Sequence, residues 1–187
     1  IYDEFVKRAV EYAKTIKIGP PNNPTSQHGP QIDGEMGEKV LGYIQKGIKG
    51  GAKLLTGGKR VGQGGGYYIE PTVFADVTDD MIIAKEEIFG PVQSILKFST
   101  LDEVIDRAND TTYGLAAGIF TNDIKTALHF SKHVESGVVW VNNYLTFTSQ
   151  LPFGGFKQSG IGRENGVHCV DEYLEVKTVT ITLPKKL

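Results

Sequence analysis

The chain reads as an α/β protein: a three-layer arrangement in which helices flank a parallel sheet, ending in a β-strand for subunit or domain pairing. Three observations predict this. Between Pro91 and Val141, apolar strand-like runs alternate with amphipathic helical stretches over short connections, the pattern of a parallel sheet with right-handed crossovers. Two further amphipathic helices precede that stretch. The last segment, Tyr173 to Leu183, is β-branched and apolar, with no helix after it.

The elements follow in order. Tyr2, Phe5, Val6, Ala9, Val10 and Ala13 share one helical face, because they recur at three- and four-residue steps. Gly19-Pro20-Pro21 stops that helix, since proline cannot continue it. Residues 19–32 are rich in Pro, Asn, Ser and Gly and read as a loop. A second helix carries Met36, Val40, Leu41, Ile44 and Ile48 on one face and ends at Gly50-Gly51. Glycines 57, 58, 62, 64, 65 and 66 are too dense for regular structure and predict a hairpin or surface loop before Tyr67. Pro91 to Phe98 is the first strand of the alternating unit. Thr100 and Glu103 form a capping-box pattern, and Leu101, Val104, Ile105 and Ala108 give the helix it opens an apolar face. Leu115 to Phe120 is the next strand. Ile124, Ala127, Leu128 and Ser131 mark another helix closed by Gly137, and Val138 to Val141 is the third strand.

Composition narrows the function classes. The chain has 187 residues, 40% of them apolar and 22% charged, with a net charge of −2. That balance gives no electrostatic reason to expect nucleic acid or an anionic membrane surface. No apolar run approaches the ~18–20 residues of a membrane-spanning helix, and no basic-then-apolar leader opens the chain. Starting at Ile1 without methionine, directly in a helical pattern, the chain is expected to be a piece of a longer polypeptide. One cysteine, Cys169, excludes an internal disulfide and fits a reducing compartment. Of the four histidines, His129 and His133 are four apart but lack a third ligand nearby, so they read as surface helical residues.

Two glycine patterns fail as phosphate loops. The run from Gly62 to Gly66 has the wrong spacing for a dinucleotide fingerprint and follows no strand. Gly160-Ile161-Gly162 leads into a helix expected at Arg163-Glu164, but a loop precedes it. Two other segments are sharper. Ala84 to Pro91 places Glu86, Glu87 and Phe89 just before a strand. A carboxylate there suits a bidentate bond to ribose hydroxyls and an aromatic suits packing on a planar ring, near a strand end where α/β ligands gather. A polar loop with Phe89 as a buried staple explains the same residues, and the residues alone leave both readings open. Leu151 to Glu164 is a glycine-rich loop after a strand, where Phe147 and Phe153 either line an apolar pocket or serve as core aromatics.

Lys85-Glu86-Glu87-Ile88-Phe89-Gly90-Pro91 and Pro152-Phe153-Gly154-Gly155-Phe156-Lys157-Gln158-Ser159-Gly160, in this order, resemble the aldehyde dehydrogenase superfamily. So do Tyr113-Gly114-Leu115, Phe120-Thr121 and the Gly137 to Asn142 strand with Trp140. The resemblance runs from Ile1 to about Leu183 and is nearest to the cytosolic and mitochondrial class acting on simple aldehydes and retinal.

The resemblance implies an NAD(P)-dependent oxidation of an aldehyde to a carboxylic acid. A cysteine thiolate forms a thiohemiacetal, and a glutamate-activated water hydrolyses the later thioester. It implies that Glu87 binds the nicotinamide ribose, that Phe89 lies beside the nicotinamide, and that Lys39 contacts the adenosine-side ribose. Met36 and Gly37 stand where the family pattern has glutamine and phenylalanine. Phe147 and Phe153 match aromatics of the aldehyde tunnel, and Asn142 matches a structural position of the motif. Residues 1–172 correspond to the catalytic-domain region, incomplete at its N-terminal side, and residues 173–187 to the oligomerisation strand, within which Val176 to Leu183 joins subunits edge to edge. The family's nucleophile and general base are expected upstream of Ile1, so no residue of this chain is assigned a catalytic role, and Cys169 reads as a structural or surface thiol. The implied cofactor is NAD, with NADP as the alternative. The implied partners are an aldehyde and further copies of the subunit in a dimer or tetramer, with no metal. The expected compartment is the cytoplasm or the mitochondrial matrix. A noncatalytic structural or interaction module reusing the fold is the competing expectation.

Overall fold

The computed structural model describes residues 1–62 and 66–183. The chain divides into two compact units, Ile1–Phe98 and Ser99–Leu187. The first contains α1 (Tyr2–Thr15), α2 (Gly34–Lys49), β1 (Lys53–Thr56), β2 (Thr72–Val77), α3 (Ile82–Lys85) and β3 (Val92–Leu96).

In this unit β2 is the central strand. It pairs antiparallel with β1 and parallel with β3. Thr72, Val73, Phe74, Ala75 and Val77 are all buried, as a strand covered on both faces requires. Val73 faces α1, in a cluster with Ala13 and Ile95 that Tyr2, Val6, Ala9 and Val10 complete. Phe74 faces the other way, into a cluster with Val40, Tyr43 and Ile44 of α2, Ile83 of α3, and Ile69 and Ile88. Val77 joins the Phe74 side although it lies an odd number of residues away. The ladder register shifts between Phe74 and Val77, and Asp76 lies in the left-handed region at φ +55°, which resets the alternation. Of the predicted face of α1, Ala13 is thus buried, Tyr2, Val6, Ala9 and Val10 are partly buried, and Phe5 is exposed.

The Asp33 carboxylate caps α2 by accepting from the Met36 N–H at 2.8 Å. Around the predicted glycine-rich turn, Arg60 and Ile69 form an antiparallel bridge, and the Val61 N–H donates to the Tyr68 carbonyl at 3.0 Å. The hairpin expectation therefore holds on its flanks. Gln63, Gly64 and Gly65 lie outside the described residues.

The second unit contains α4 (Leu101–Asn109), β4 (Tyr113–Gly114), β5 (Ala116–Ile119), α5 (Ile124–His133), β6 (Val138–Val141), β7 (Phe156–Lys157) and a short 3-10 helix (Val167–Tyr173). The capping box is present. Thr100 Oγ1 accepts from the Glu103 N–H at 3.2 Å, and the Glu103 carboxylate accepts from the N–H groups of Ser99 and Thr100. Ile105 of α4 meets Phe130 and Val134 of the α5 end over Ala117, Ile119 and Val139 of the sheet. β5 and β6 pair parallel, with Gly118 opposite Trp140. Asn142, at φ +55°, closes the end of this pair: its side-chain amide both accepts from the Thr121 N–H and donates to the Thr121 carbonyl, each at 2.8 Å.

The α/β class stands, with two corrections of detail. The parallel pairing is not one run of three strands: β3 pairs with β2 in a mixed sheet, while β5 pairs with β6 in another. A crossover pattern in sequence specifies parallel direction but not which earlier strand a strand will join. Arg163 and Glu164 do not begin a helix. Glu164 instead bridges antiparallel to Phe153, Asn165 and Gly166 both take positive φ, and the helical turn starts only at Val167. Among the described residues Leu174 to Leu183 forms no ladder within the chain, and Val176, Val179, Ile181 and Leu183 are exposed, which neither bears out nor overturns an expected pairing with another copy.

Candidate functional site

In the first unit the site is built on the short connection from α3 to β3. The Glu86 N–H closes α3 on the Ile82 carbonyl at 2.9 Å, after which the chain turns extended. Side chains then alternate. Glu87 points outward and is exposed, Ile88 is buried among α2 residues, and Phe89 is 63% exposed. Phe89 holds φ +56°, a left-handed conformation costing about 1–3 kcal/mol for a residue with a side chain. Gly90 lies so close to α2 that a Cβ there would meet Val40 Cγ2 at 2.5 Å. A hydrogen bond of 2.8 Å from the Thr72 N–H to the Pro91 carbonyl then carries the chain into the sheet.

The reading of Phe89 as a buried staple is overturned, because Ile88 takes that place in the core. Lys39, exposed on α2, carries its ammonium 6.0 Å from the centre of the Phe89 ring, near the outer limit of a cation–π contact. Glu87 has no hydrogen-bond partner among the described residues. The fold thus brings Lys39 beside Phe89, two residues after the exposed Glu87: a cation, an open aromatic face and a carboxylate acceptor. One contributor leaves no mark in the spacing of residues. Tyr43, buried on α2 one turn after Lys39, donates its hydroxyl to Glu86 Oε2 at 2.5 Å. Spacing alone registers Tyr43 only as one more side chain near the helix's apolar face.

In the second unit the predicted aromatics also come together. Phe147 and Phe153 meet edge to face at 5.3 Å between ring centres. Trp140 packs edgewise on Phe147 at 5.4 Å and on Tyr144 at 5.5 Å. The Trp140 indole N–H donates to the Thr146 carbonyl at 3.1 Å, which ties the loop after β6 back to its own strand. Phe147 is half exposed and Phe153 half buried, so neither is a fully enclosed core residue. Paired N–H to carbonyl bonds of 2.7 Å between Phe153 and Glu164 hold the loop across its base. At Gly137 the backbone approach leaves no room for a side chain, since a Cβ would fall 1.7 Å from the Gly154 carbonyl oxygen.

Beside Phe153 lies an open cavity of about 600 Å³, lined among others by Leu115, Arg163, Glu164, Cys169 and Glu172. The Arg163 guanidinium donates to the carbonyls of Gly155 and Gly162. The Cys169 thiol donates to the Gly166 carbonyl at 3.1 Å and is half buried. His129 and His133 stack at 4.3 Å, His129 bonding Asp102 and His133 the His129 carbonyl. Among the described residues, no three His, Cys, Asp or Glu side chains are grouped to hold a metal ion. Nor is any helix long and apolar enough to cross a membrane.

Comparison with known proteins decides the family. The model of the aldehyde dehydrogenase family matches residues 1–179. This chain belongs to the aldehyde dehydrogenase family. It is 60% identical over 186 residues to aldehyde dehydrogenase 1A1 of Gallus gallus and 58% identical to retinal dehydrogenase 2 of Mus musculus. In both cases the match takes in all of this chain and 36% of the relative, so the chain spans about a third of the length of those curated relatives. Among solved structures it resembles the NAD+ complex of an aldehyde dehydrogenase from Bacillus cereus, with a TM-score of 0.94 at 45% identity, over 98% of this chain and 37% of that one. An NAD+ complex of the Mycobacterium tuberculosis aldehyde dehydrogenase gives a TM-score of 0.92 at 41% identity, over 100% of this chain and 38% of that one.

Proposed function

We propose that this chain is part of an enzyme that oxidises an aldehyde to a carboxylic acid with NAD. NADP is the alternative cofactor, and simple aldehydes or retinal are the substrate class. Both solved structures named above are NAD+ complexes, and relatives bear the names aldehyde and retinal dehydrogenase. The observation that carries the reading is the outward pair Glu87 and Phe89 around the buried Ile88. Bound NAD supplies the hydride-accepting ring. Glu87 offers two carboxylate oxygens to the hydroxyls of the nicotinamide ribose, a charge-assisted contact that limits how the ring can turn. Phe89 offers a flat apolar face beside that ring, and Lys39 a cation toward the adenosine-side ribose. Phe147 and Phe153 offer apolar walls to the aldehyde.

The steps that make and break bonds at the aldehyde carbon lie with residues outside this chain. A cysteine thiolate adds to the carbonyl to form a thiohemiacetal, and after its oxidation a glutamate directs water onto the thioester. Cys169, bonded to its own turn, has no part in this, so the isolated chain turns over no aldehyde. Residues 1–172 belong to the catalytic-domain region and 173–187 to the oligomerisation strand. The exposed β-branched run from Val176 to Leu183 supports pairing with another copy, in a dimer or tetramer. On family resemblance alone the compartment is the cytoplasm, with the mitochondrial matrix as the alternative. The exposed Phe89, held at φ +56° beside Glu87, supports this reading over that of a noncatalytic module.

The test is Glu87→Gln in the full polypeptide. A ribose held less firmly misplaces the ring, and an error of about 1 Å can cost ~100-fold in rate. The pre-steady-state burst of NADH should slow strongly while NAD still binds. An unchanged burst in a folded variant would overturn the assignment.

A further inference from the structure

We infer that Tyr43 is a positioning residue for the cofactor segment: through its hydrogen bond to Glu86 it sets where Glu87 and Phe89 stand. The inference rests on the reading of Glu87 and Phe89 proposed above.

The connection from α3 to β3 touches α2 at three points. Tyr43 donates to Glu86 Oε2 at 2.5 Å, Ile88 packs in the cluster of Val40, Tyr43 and Ile44, and Gly90 rests against Val40. Apolar packing at Ile88 and Gly90 fixes the depth of the segment but resists sliding and twisting weakly, because dispersion contacts have little directionality. The phenol–carboxylate bond is directional and charge-assisted, and it acts on the residue immediately before Glu87. Without it, the hydrogen bond that remains to Glu86 among the described residues is the one from its N–H to the Ile82 carbonyl. The aromatic ring of Tyr43 is itself held, buried on one side with the Lys46 ammonium 4.9 Å from its centre. Hydrogen bonding to Glu86, with burial and the carboxylate's charge adding to it, raises the Tyr43 pKa above its ordinary value. The hydroxyl therefore keeps its proton and remains the donor. Because α2 also carries Lys39, one helix supports both the cation and the carboxylate–aromatic pair.

The experiment compares Tyr43→Phe, Glu86→Ala, the double variant, Glu86→Gln and Glu87→Gln in the full polypeptide. The readout is the burst rate of NADH formation at saturating NAD, alongside the melting temperature. Tyr43→Phe and Glu86→Ala should each slow the burst roughly tenfold, and the double variant no more than either alone, because one bond is lost in all three. Glu86→Gln keeps an acceptor oxygen and should retain most of the rate. A role limited to folding would lower the melting temperature and leave the burst intact, which overturns the inference. Additive losses would do the same, since Tyr43 and Glu86 would then act separately. If Tyr43→Phe fails to fold, Glu86→Ala against Glu86→Gln carries the comparison, and equal rates there overturn it. A slow burst in Glu87→Gln with a normal one in Tyr43→Phe sinks the positioning role alone. A normal burst in Glu87→Gln sinks the reading of the cofactor segment itself, and this inference with it.

Discussion

The Glu86–Gly90 segment and the Phe147–Phe153 loop present their candidate ligand contacts in opposite ways. The first rides on a helix: Ile88 is buried with Val40 and Tyr43, so Glu87 and Phe89 are pushed outward by what lies beneath them. The second hangs on its own rings and a few backbone bonds, packed edgewise on the buried Trp140. Side chains anchored by a core hold one geometry, whereas a ring-on-ring loop can repack at small cost. That contrast suits a fixed contact for a constant ligand in the first region and an adaptable wall in the second.

The contrast can be broken most sharply at the two aromatic centres. Phe74→Ala removes a side chain that is fully buried under α2, and should cost about 3–5 kcal/mol. Phe147→Ala removes a half-exposed ring with two edge contacts and should cost only about 1–2 kcal/mol. Urea denaturation of both variants measures the two, and equal losses would erase the distinction between a core-held and a loop-held site.

Gly90→Ala comes next. Its new methyl group would press on both Val40 γ-carbons, 2.5 and 2.7 Å away, and overpacking of this kind costs roughly 1–3 kcal/mol. A denaturation midpoint close to that of the unchanged chain would mean that the connection yields, and that the first region is softer than its burial implies.

A smaller effect is expected at the start of α4. Thr100→Ala removes one half of the capping box and should cost about 1 kcal/mol. The same corner sets an acid response. The Ser99 N–H, with Arg107 adding to it, holds the Glu103 carboxyl below its ordinary pKa. At the cap of α5, Thr126 does the same for Asp123. A carboxyl whose folded pKa is depressed contributes stability that is complete above its unfolded pKa and is lost as pH falls through the folded value. Both contributions should therefore be present at neutral pH and fade only on the acid side of the ordinary carboxylate range. A melting curve followed downward in pH for Glu103→Gln should run flatter than that of the unchanged chain, and identical slopes would contradict the assignment.

The smallest change in stability is expected from truncation after Lys177. Val179, Ile181 and Leu183 are exposed and form no ladder among the described residues, so the melting temperature of the chain should not move. Sedimentation of the full polypeptide should instead show weaker assembly. An unchanged oligomer would mean that the segment is only a tail.

Local chemistry was legible in the linear order of residues. The Thr100–Glu103 box, the helical faces around Val6 and Val40, the β-branched strands at Val92 and Val138, and the family motifs at Glu87 and Phe153 all depend on neighbours within a few positions. Such patterns act through short-range sterics and hydrogen bonds, which is why they survive translation into three dimensions. Tertiary structure alone decided the rest. It chose β2 as the partner of β3, because strand direction is local but strand choice depends on which apolar faces must be covered together. It put Ile88 rather than Phe89 into the core, since alternation relative to Val40 could not be phased from sequence. It replaced the helix expected at Arg163 with a bridge from Glu164 to Phe153, a contact between backbones eleven residues apart. It also joined Tyr43 to Glu86 across 43 positions. A hydrogen bond between side chains so distant in sequence leaves no periodic trace, because only folding brings the donor and the acceptor into the same place.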